Sequence, residues 1–281
     1  MRVLITGGSG FIASYVTKTC LMQGLQVVIQ TRSETLEESL ISRENVSVIK
    51  KSFTDLRAED IQNVDSIIHL ASVGVTPQIA SWQQLNQINI SGSLHICELA
   101  KDINAKLIVS GSYAEYGESG LEHDFIPVDA ALKPTYPYAI SKAIACDLIL
   151  AYTRYEKLNT CYLRIFNAYG EGQNPMNLWP SLVRAAKQAE DFNMTPGEQI
   201  RDFIHVQDVA HQLLFAATKA ELIPGKTLVK NCASGIPQTV KNFCQNNWNI
   251  YSMGGKLNLG TLPYRKNEVM RFVPSLEEKY L

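Results

Sequence analysis

No stretch of this chain approaches the ~18 consecutive apolar residues of a membrane span. Ahead of the first Thr-Gly-Gly break stand Arg2 and then only Val3, Leu4 and Ile5, too short a run for a secretory signal, so none is expected. Neither sign of charge is in excess, with 26 Lys and Arg against 27 Asp and Glu. Without a basic field, nucleic acid and anionic membranes are not expected partners, and any ligand must be found by a local site. There is no CxxC pair. The six cysteines (Cys20, Cys97, Cys146, Cys161, Cys232, Cys244) are scattered, several in apolar surroundings, and read as reduced core residues of a cytoplasmic protein. No His, Cys and Asp cluster has ligand spacing, so no metal is expected. Internal repeats and low-complexity tracts are absent as well.

What is present is 281 residues that are 46% apolar and 19% charged, enough for one large domain or two modest lobes. Short β-branched runs at Val3–Thr6, Gln26–Gln30, Val46–Ile49, Ser66–Leu70, Lys106–Ser110 and Thr160–Ile165 alternate with longer amphipathic stretches. Of those stretches, Phe11–Gln23, Trp82–Lys101 and Tyr138–Glu156 predict helices. Strands spaced by helices predict an α/β fold, a doubly wound parallel Rossmann sheet with crossover helices on both faces. After Asn167 the pattern changes to AYGEGQNPMN and a helix-like LWPSLVRAAKQA. Residues 1–166 are therefore expected to form the dinucleotide-binding domain. Residues 167–281 are expected to form a smaller α/β substrate-binding lobe, partly interleaved with the first and set over the carboxyl edge of the sheet.

Residues 6–13 read TGGSGFIA, directly after a strand and opening a helix. Gly8-x-Gly10-x-x-Ala13 fits the dinucleotide fingerprint. Gly7 and Gly8 permit the tight turn, Gly10 lets backbone approach a pyrophosphate, and Ala13 keeps helix near strand. Phe11 and Ile12 open the helix, whose first amides supply donors and positive dipole charge. At the end of the second strand, where a carboxylate would hold the ribose of NAD, stand Gln30, Thr31, Arg32 and Ser33. Nothing there repels a 2′-phosphate and Arg32 is able to pair with one, which favours NADP(H), with NAD(H) the alternative.

Tyr138 and Lys142 lie four residues apart, on one face of a helix that Pro134 and Pro137 introduce. A fixed ammonium beside a phenol favours phenolate, and is expected to lower the Tyr138 pKa toward working pH. That suits proton exchange with a carbonyl/alcohol couple.

Further segments accompany the pair: HLAS at 69–72, NISGS at 89–93, SGSYAEYG at 110–117, PTYPYAISK at 134–142, LRIFNAYGEGQ at 163–173 and GEQIRDFIHVQDVA at 197–210. In this order and spacing they resemble the extended short-chain dehydrogenases/reductases, the NAD-dependent epimerase/dehydratase family of nucleotide-sugar enzymes, over essentially the whole chain. The resemblance implies that Ser112 hydrogen-bonds the reacting oxygen, that Lys142 also binds the nicotinamide ribose, and that Asn89 steadies the active-site helix. It puts Ala71 and Ser72 along the cofactor. Ser52 and Phe53 stand where an Asp and an aliphatic residue usually meet adenine, which is a departure. On the substrate side it implies Asn167, Arg201 and Arg265 as contacts of a nucleotide diphosphate. For the two arginines, structural salt bridges are the alternative. His69 and His205 read as packed residues. The resemblance also implies a homodimer through helices 82–101 and 136–156, although Trp82, Ile144, Leu148 and Tyr152 on them also fit a core.

Dehydratases of this group carry an Asp-Glu pair directly after the Ser/Thr, and here Tyr113 and Ala114 hold those positions. Dehydration is therefore not expected. The GS-x-x-EYG segment resembles reductases of nucleotide-diphosphate 4-keto-6-deoxyhexoses, and the C-terminal LGTLPYRKNEVMRFVP resembles members found in bacterial surface-polysaccharide pathways. Reduction at C4 is the expected reaction, 4-epimerisation the runner-up, and a non-catalytic cofactor-binding sensor the remote alternative.

Overall fold

The computed structural model describes residues 1–33, 43–75, 79–266 and 268–281. The first strands are β1 (Arg2–Thr6), β2 (Gln26–Thr31), β3 (Val46–Lys50), β4 (Ser66–His69), β5 (Lys106–Ser112) and β6 (Thr160–Ile165). β7 (Asn167–Tyr169), β8 (Phe192–Asn193), β9 (Ile200–His205), β10 (Thr227–Cys232) and β11 (Pro237–Thr239) follow. β12 (Leu257–Asn258), β13 (Arg271–Phe272) and β14 (Glu278–Tyr280) complete the series.

An 8-stranded sheet runs in the order β14-β10-β6-β5-β4-β1-β2-β3. All its pairings are parallel except that of β14 with β10. Its inner strands read as nearly continuous apolar runs because helices cover both faces. The two-residue side-chain period divides them between two cores. Val3 and Ile5 pack with Val16, Cys20, Val209 and Leu213 from the helices Phe11–Met22 and Val206–Thr218. Leu4, between them in sequence, packs on the opposite face with Ile96, Cys97, Cys146 and Ile149 from Gly92–Asp102 and Pro137–Glu156. All six cysteines are free and buried.

The chain crosses between lobes more often than a break near residue 166 suggests. The helix Val206–Thr218 and strands β10 and β14 return to the large sheet. The smaller lobe is assembled around β7, β9, β11 and β13 with the helices Leu178–Lys187 and Val240–Tyr251. These two helices close on Trp179, Leu182, Phe243 and Trp248. Two further differences from the sequence reading bear on the site. β5 runs two residues beyond Ser110, so Ser112 is its last residue. The predicted helix 82–101 consists of Trp82–Leu85, a π-helical stretch Asn86–Ser91 and Gly92–Asp102. A widened turn of this kind re-aims the side chains it carries.

Leu178–Lys187 ends in a Schellman closure: Glu190 N–H donates to Ala185 O (3.0 Å) and Ala189 N–H to Ala186 O (3.3 Å). Ala189, exposed and at φ 57°, holds the left-handed position that glycine fills without a Cβ penalty. Ala189→Gly is expected to raise unfolding free energy by about 0.5–1 kcal/mol, read from urea denaturation midpoints at unchanged slope. A lower midpoint would contradict this account of the cap.

Candidate active site

The site lies outside the carboxyl ends of β1, β4 and β5, where the strand order reverses and open α/β sheets bind ligands. At the end of β1 the chain must turn tightly between β2 and β4. Gly7 has φ +67°, and a Cβ there would stand 2.9 Å from the Ala71 backbone. A Cβ on Gly8 would stand 2.2 Å from Ile29 Cγ2. The Gln30 side chain secures the turn, its Oε1 accepting from Gly7 N–H (3.0 Å) and its Nε2 donating to Lys51 O (2.6 Å). Gly10 is the N-cap of Phe11–Met22 and supplies no side-chain cap, which leaves the first helical amides for an anionic ligand. This cradle fits a dinucleotide pyrophosphate. Phe11 and Ile12 are half-buried, Phe11 lying edge-on to Tyr15 and Ile12 against the core.

At the end of β2, Thr31 is buried and its hydroxyl accepts from Ser33 N–H (2.9 Å). Arg32 is exposed beside it. Ser52 pairs its hydroxyl with that of Thr54 (2.8 Å), while Phe53 is buried with its ring against His69 and Gly92. Ala71 and Ser72 continue from β4 along the turn, half-buried.

Ser112 caps a short 3-10 turn over Tyr113–Tyr116, its hydroxyl accepting from Ala114 N–H (3.3 Å). Its own O–H remains to donate, and the Ser112 side chain acts on the Tyr138 phenol, opposing the upward push of burial. Pro137 is the first residue of the helix that presents Tyr138 and, one turn on, Lys142. Lys142 is 4% exposed and its Nζ donates to Ser110 O (2.7 Å). Burial pulls its ammonium below the ordinary lysine range, against the pull of Glu115 and Cys146. The Tyr138 phenol is pushed above its ordinary range by burial and then by the Glu115 carboxylate, with the Ser112 hydrogen bond opposing. This corrects the sequence reading. The expected lowering of Tyr138 by Lys142 is not seen, because the phenol is desolvated and the Glu115 carboxylate adds to the upward push.

Asn89, on the π-helical stretch, binds both sides of this arrangement. Its Oδ1 accepts from Val73 N–H (2.9 Å), and its Nδ2 donates to Val73 O (3.0 Å) and to Ser141 Oγ (2.9 Å). It therefore ties the segment after β4 to the Tyr138 helix.

From the smaller lobe, Asn167 Nδ2 donates to Asp202 O (2.8 Å). Arg201 donates to Glu268 Oε1 (3.3 Å) and to the carbonyls of Ile200 and Val269, so the salt-bridge alternative is realised for it. Arg265 is exposed. Both guanidiniums act on the Tyr113 phenol, holding it down against the upward push of burial, and so face the segment that carries Ser112. Tyr113 itself packs on Phe166 and Phe272. His205 caps Val206–Thr218 through Nδ1 (3.2 Å from Gln207 N) and lies edge-on to Tyr15 and Tyr169, a packed residue as read.

The sequence reading named Gln30 without its role and passed over the role of Glu115. Glu115 accepts from Ser112 N–H (2.7 Å), completing a capping box with it. The Ser-x-x-Glu spacing was the available signal. Gln30 left none, since a buried amide in a strand announces no partner.

Residues 3–229 match the NAD dependent epimerase/dehydratase family, and the chain belongs to that family. It is 29% identical over 279 residues to the UDP-glucose 4-epimerase of Neisseria meningitidis serogroup C, covering 85% of this chain and 79% of that one. The curated relatives are spanned over between 40% and 79% of their own length. Among solved structures, the UDP-N-acetylglucosamine 4-epimerase of Methanobrevibacter ruminantium M1, in complex with UDP-N-acetylmuramic acid, aligns with a TM-score of 0.86 at 25% identity, over 98% of this chain and 89% of that one. MoeE5, solved with UDP-glucose and NAD, aligns at 0.79 and 25% identity, over 98% and 90%. No described helix is long and apolar enough to cross a membrane, and the described residues hold no cluster suited to a metal ion.

The floor of the site carries its own pH dependence. Thr6 Oγ1 accepts from the amides of Leu70 (3.2 Å) and Ala71 (3.4 Å), so its O–H is free to donate to His69 Nδ1 (2.8 Å). Burial, then the Lys142 ammonium, pulls the imidazole down to about 3. A group depressed on folding contributes stability above its unfolded value of ~6.5 and loses it as pH falls toward the folded value. Relative to a His69→Asn variant, the protein is expected to lose up to about 1.4 kcal/mol more per pH unit on going down from pH ~6 to ~4. Parallel stability curves for the two proteins over that window would refute the neutral buried imidazole.

Proposed function

We propose that this family member reduces C4 of a nucleotide-diphosphate 4-keto-6-deoxyhexose, with Ser112, Tyr138 and Lys142 handling the proton and NADP(H) the preferred cofactor. The observation that carries the reading is Tyr138 and a buried Lys142 one turn apart on one helix, with the Lys142 Nζ on Ser110 O (2.7 Å) of the strand that ends at Ser112. A phenol and a hydroxyl converging on one point suit a reacting carbonyl oxygen, and a general acid there is worth roughly 10²–10⁴-fold.

Gly7, Gly8, Gly10 and the amides of Phe11 and Ile12 would hold the cofactor pyrophosphate, with Ala71 and Ser72 along its length and Ser52 and Phe53 toward the adenine end. Lys142 would hold the nicotinamide ribose, and Arg32 a 2′-phosphate. The bound cofactor supplies the hydride. Ser112 donates to the substrate carbonyl oxygen and orients it, and Tyr138 gives its proton to the alkoxide that forms. Lys142 keeps positive charge beneath the phenol while that proton leaves. Asn89 holds the helix in register through Ser141. Asn167, Arg201 and Arg265 would receive the diphosphate, with Arg201 exchanging Glu268 for phosphate oxygens.

Two features support reduction. Thr31, rather than a carboxylate, stands at the ribose edge beside the exposed Arg32. Tyr113 and Ala114 leave no acid-base pair for dehydration. A second reading, 4-epimerisation with retained NAD, is favoured by relatives that are themselves named UDP-glucose 4-epimerase. A homodimer through helices 82–101 and 136–156 accords with the exposure of Trp82 and Ile144 and the half-buried Leu148 and Tyr152.

Incubation with NADPH, NADH and a panel of nucleotide-diphosphate 4-keto-6-deoxy sugars separates the readings. Stoichiometric NADPH oxidation is the expected result, whereas interconversion of hexoses without net cofactor change would replace reduction by epimerisation. Tyr138→Phe should lower turnover about 10²–10⁴-fold with cofactor affinity kept, and unchanged turnover would remove Tyr138 from its role. Arg32→Ala is expected to weaken NADPH binding about tenfold or more while sparing NADH, measured by fluorescence titration. Equal losses for both cofactors would count against the 2′-phosphate contact.

A further inference from the structure

The residue that opens the Tyr138 helix breaks a local rule. Tyr136 is the N-cap of Pro137–Glu156, in extended backbone at φ −140° and ψ 159°, and its side chain makes no capping hydrogen bond. Its carbonyl serves the helix, accepting from Ile140 N–H (2.9 Å). The amides of Tyr138 and Ala139 receive nothing from the capping side chain, where Ser, Thr, Asp or Asn would supply an acceptor. A phenol hydroxyl stands too far from its own backbone to do so. Departures of this kind gather at functional positions, where another task outweighs local stability.

The ring leans on the acid instead. Tyr136 and Tyr138 are stacked, with ring centroids 6.4 Å apart and planes 26° from parallel. The segment after β4 meets the Tyr138 ring as well. A Cβ on Gly74 would stand 3.5 Å from Tyr138 Cδ2 and 2.9 Å from Leu85 Cδ2, and Gly74, at φ +83°, has none to hold it off. Tyr136 nevertheless stays 41% exposed, between Thr135 and Pro137, which are exposed too. The neighbouring rings are engaged elsewhere: Tyr113 packs on Phe166 and Phe272, and Tyr116 is fully buried beside Phe166. An open aromatic face beside the proton-carrying phenol, on a residue whose side chain caps nothing, points to a ligand.

We infer that Tyr136 is a substrate-binding residue, an aromatic platform for the hexose whose C4 oxygen meets Tyr138. The inference rests on the reading of Tyr138 as the acid. A pyranose carries its hydroxyls around the rim and C–H groups on its faces, and C–H groups pack on the electron-rich face of an aromatic ring. A hexose that brings one oxygen to Tyr138 lays the rest of its ring on the adjoining surface, where Tyr136 offers that face. The residue is thereby assigned to the sugar, not to the nucleotide or the cofactor.

Tyr136→Ser removes the ring and supplies a preferred N-cap, so the helix is not put at risk. In the cofactor-loaded enzyme, calorimetric affinities for UDP-, GDP- and dTDP-hexoses are compared with those for UDP, GDP and dTDP. Tyr136→Ser is expected to lose about tenfold in affinity for the nucleotide-hexose, with the bare diphosphate and the cofactor bound as before. Tyr136→Phe, which keeps the ring face, is expected to bind as the wild type does. Unchanged hexose affinity in Tyr136→Ser overturns the inference, and so do equal losses for the hexose and the bare diphosphate. A loss that appears only together with dissociation of a dimer in sedimentation also overturns it, placing the ring against a second copy of the chain. Wild-type turnover by Tyr138→Phe overturns the reading beneath it instead.

Discussion

The ion pair of Glu115 with Arg164 is the constraint to which the rest of the site is fastened. It joins the turn after β5 to the carboxyl end of β6, and through Tyr116 and its 2.7 Å bond to Asn231 it reaches β10. Asn231 continues to the carbonyls of Ile126 and Ser275, so segments distant in sequence meet on one buried polar chain. Such a pair is poor evidence of net stability, because desolvating two charges costs about as much as their attraction returns. Its geometry is strict, however. Breaking either half leaves an unpaired buried charge, typically a loss of about 3–5 kcal/mol. What the pair contributes is position: the last residue of β5 is held by its own amide while its hydroxyl faces the crevice.

The crevice exists because of a second constraint, the close approach of the turn after β1 to the end of β4. Gly7 lies against the Ala71 backbone at a distance that no side chain tolerates, and Thr6 receives the amides of Leu70 and Ala71. Thr6 and His69 then share a hydrogen bond under the floor. Gly-rich turn, neutral histidine and buried lysine are thus one packing problem. The turn sets the depth at which a dinucleotide can sit, and the histidine beneath it stays uncharged because it is buried, with the Lys142 ammonium adding to that effect.

Much of this was legible in the sequence because it rests on local rules. The TGGSGFIA turn declares itself by glycine spacing, and the strand series by β-branched runs. Tyr138 and Lys142 share a helix face whatever surrounds them. What was not legible depends on meetings between distant segments. The electrostatics of Tyr138 followed desolvation and a carboxylate 23 positions earlier, not the nearer lysine. The return of Val206–Thr218 and β10 to the large sheet left no compositional mark, since Cys232 and Leu213 are as apolar as residues of either lobe. The π-helical stretch around Asn89 is equally silent, because each of its residues also fits an ordinary helix.

Reduction and epimerisation make opposite demands on this one site, and physical chemistry separates them further than motif spacing does. An epimerase must first remove a proton from a sugar hydroxyl, so its phenol has to ionise while the alcohol is bound. A reductase only has to give a proton to an oxygen that is gaining negative charge. Burial and the Glu115 carboxylate both push the Tyr138 phenol upward, so the first task asks a bound cofactor's positive charge to act against them. The ribose edge bears on the same choice. Thr31 with an exposed arginine beside it suits a phosphorylated cofactor drawn from a reducing pool, whereas retention of NAD is helped by a carboxylate gripping its ribose hydroxyls. Both features are what the proposed reduction draws on. Against it stands the kinship with 4-epimerases, and kinship on a shared fold constrains scaffold more tightly than the direction of proton flow.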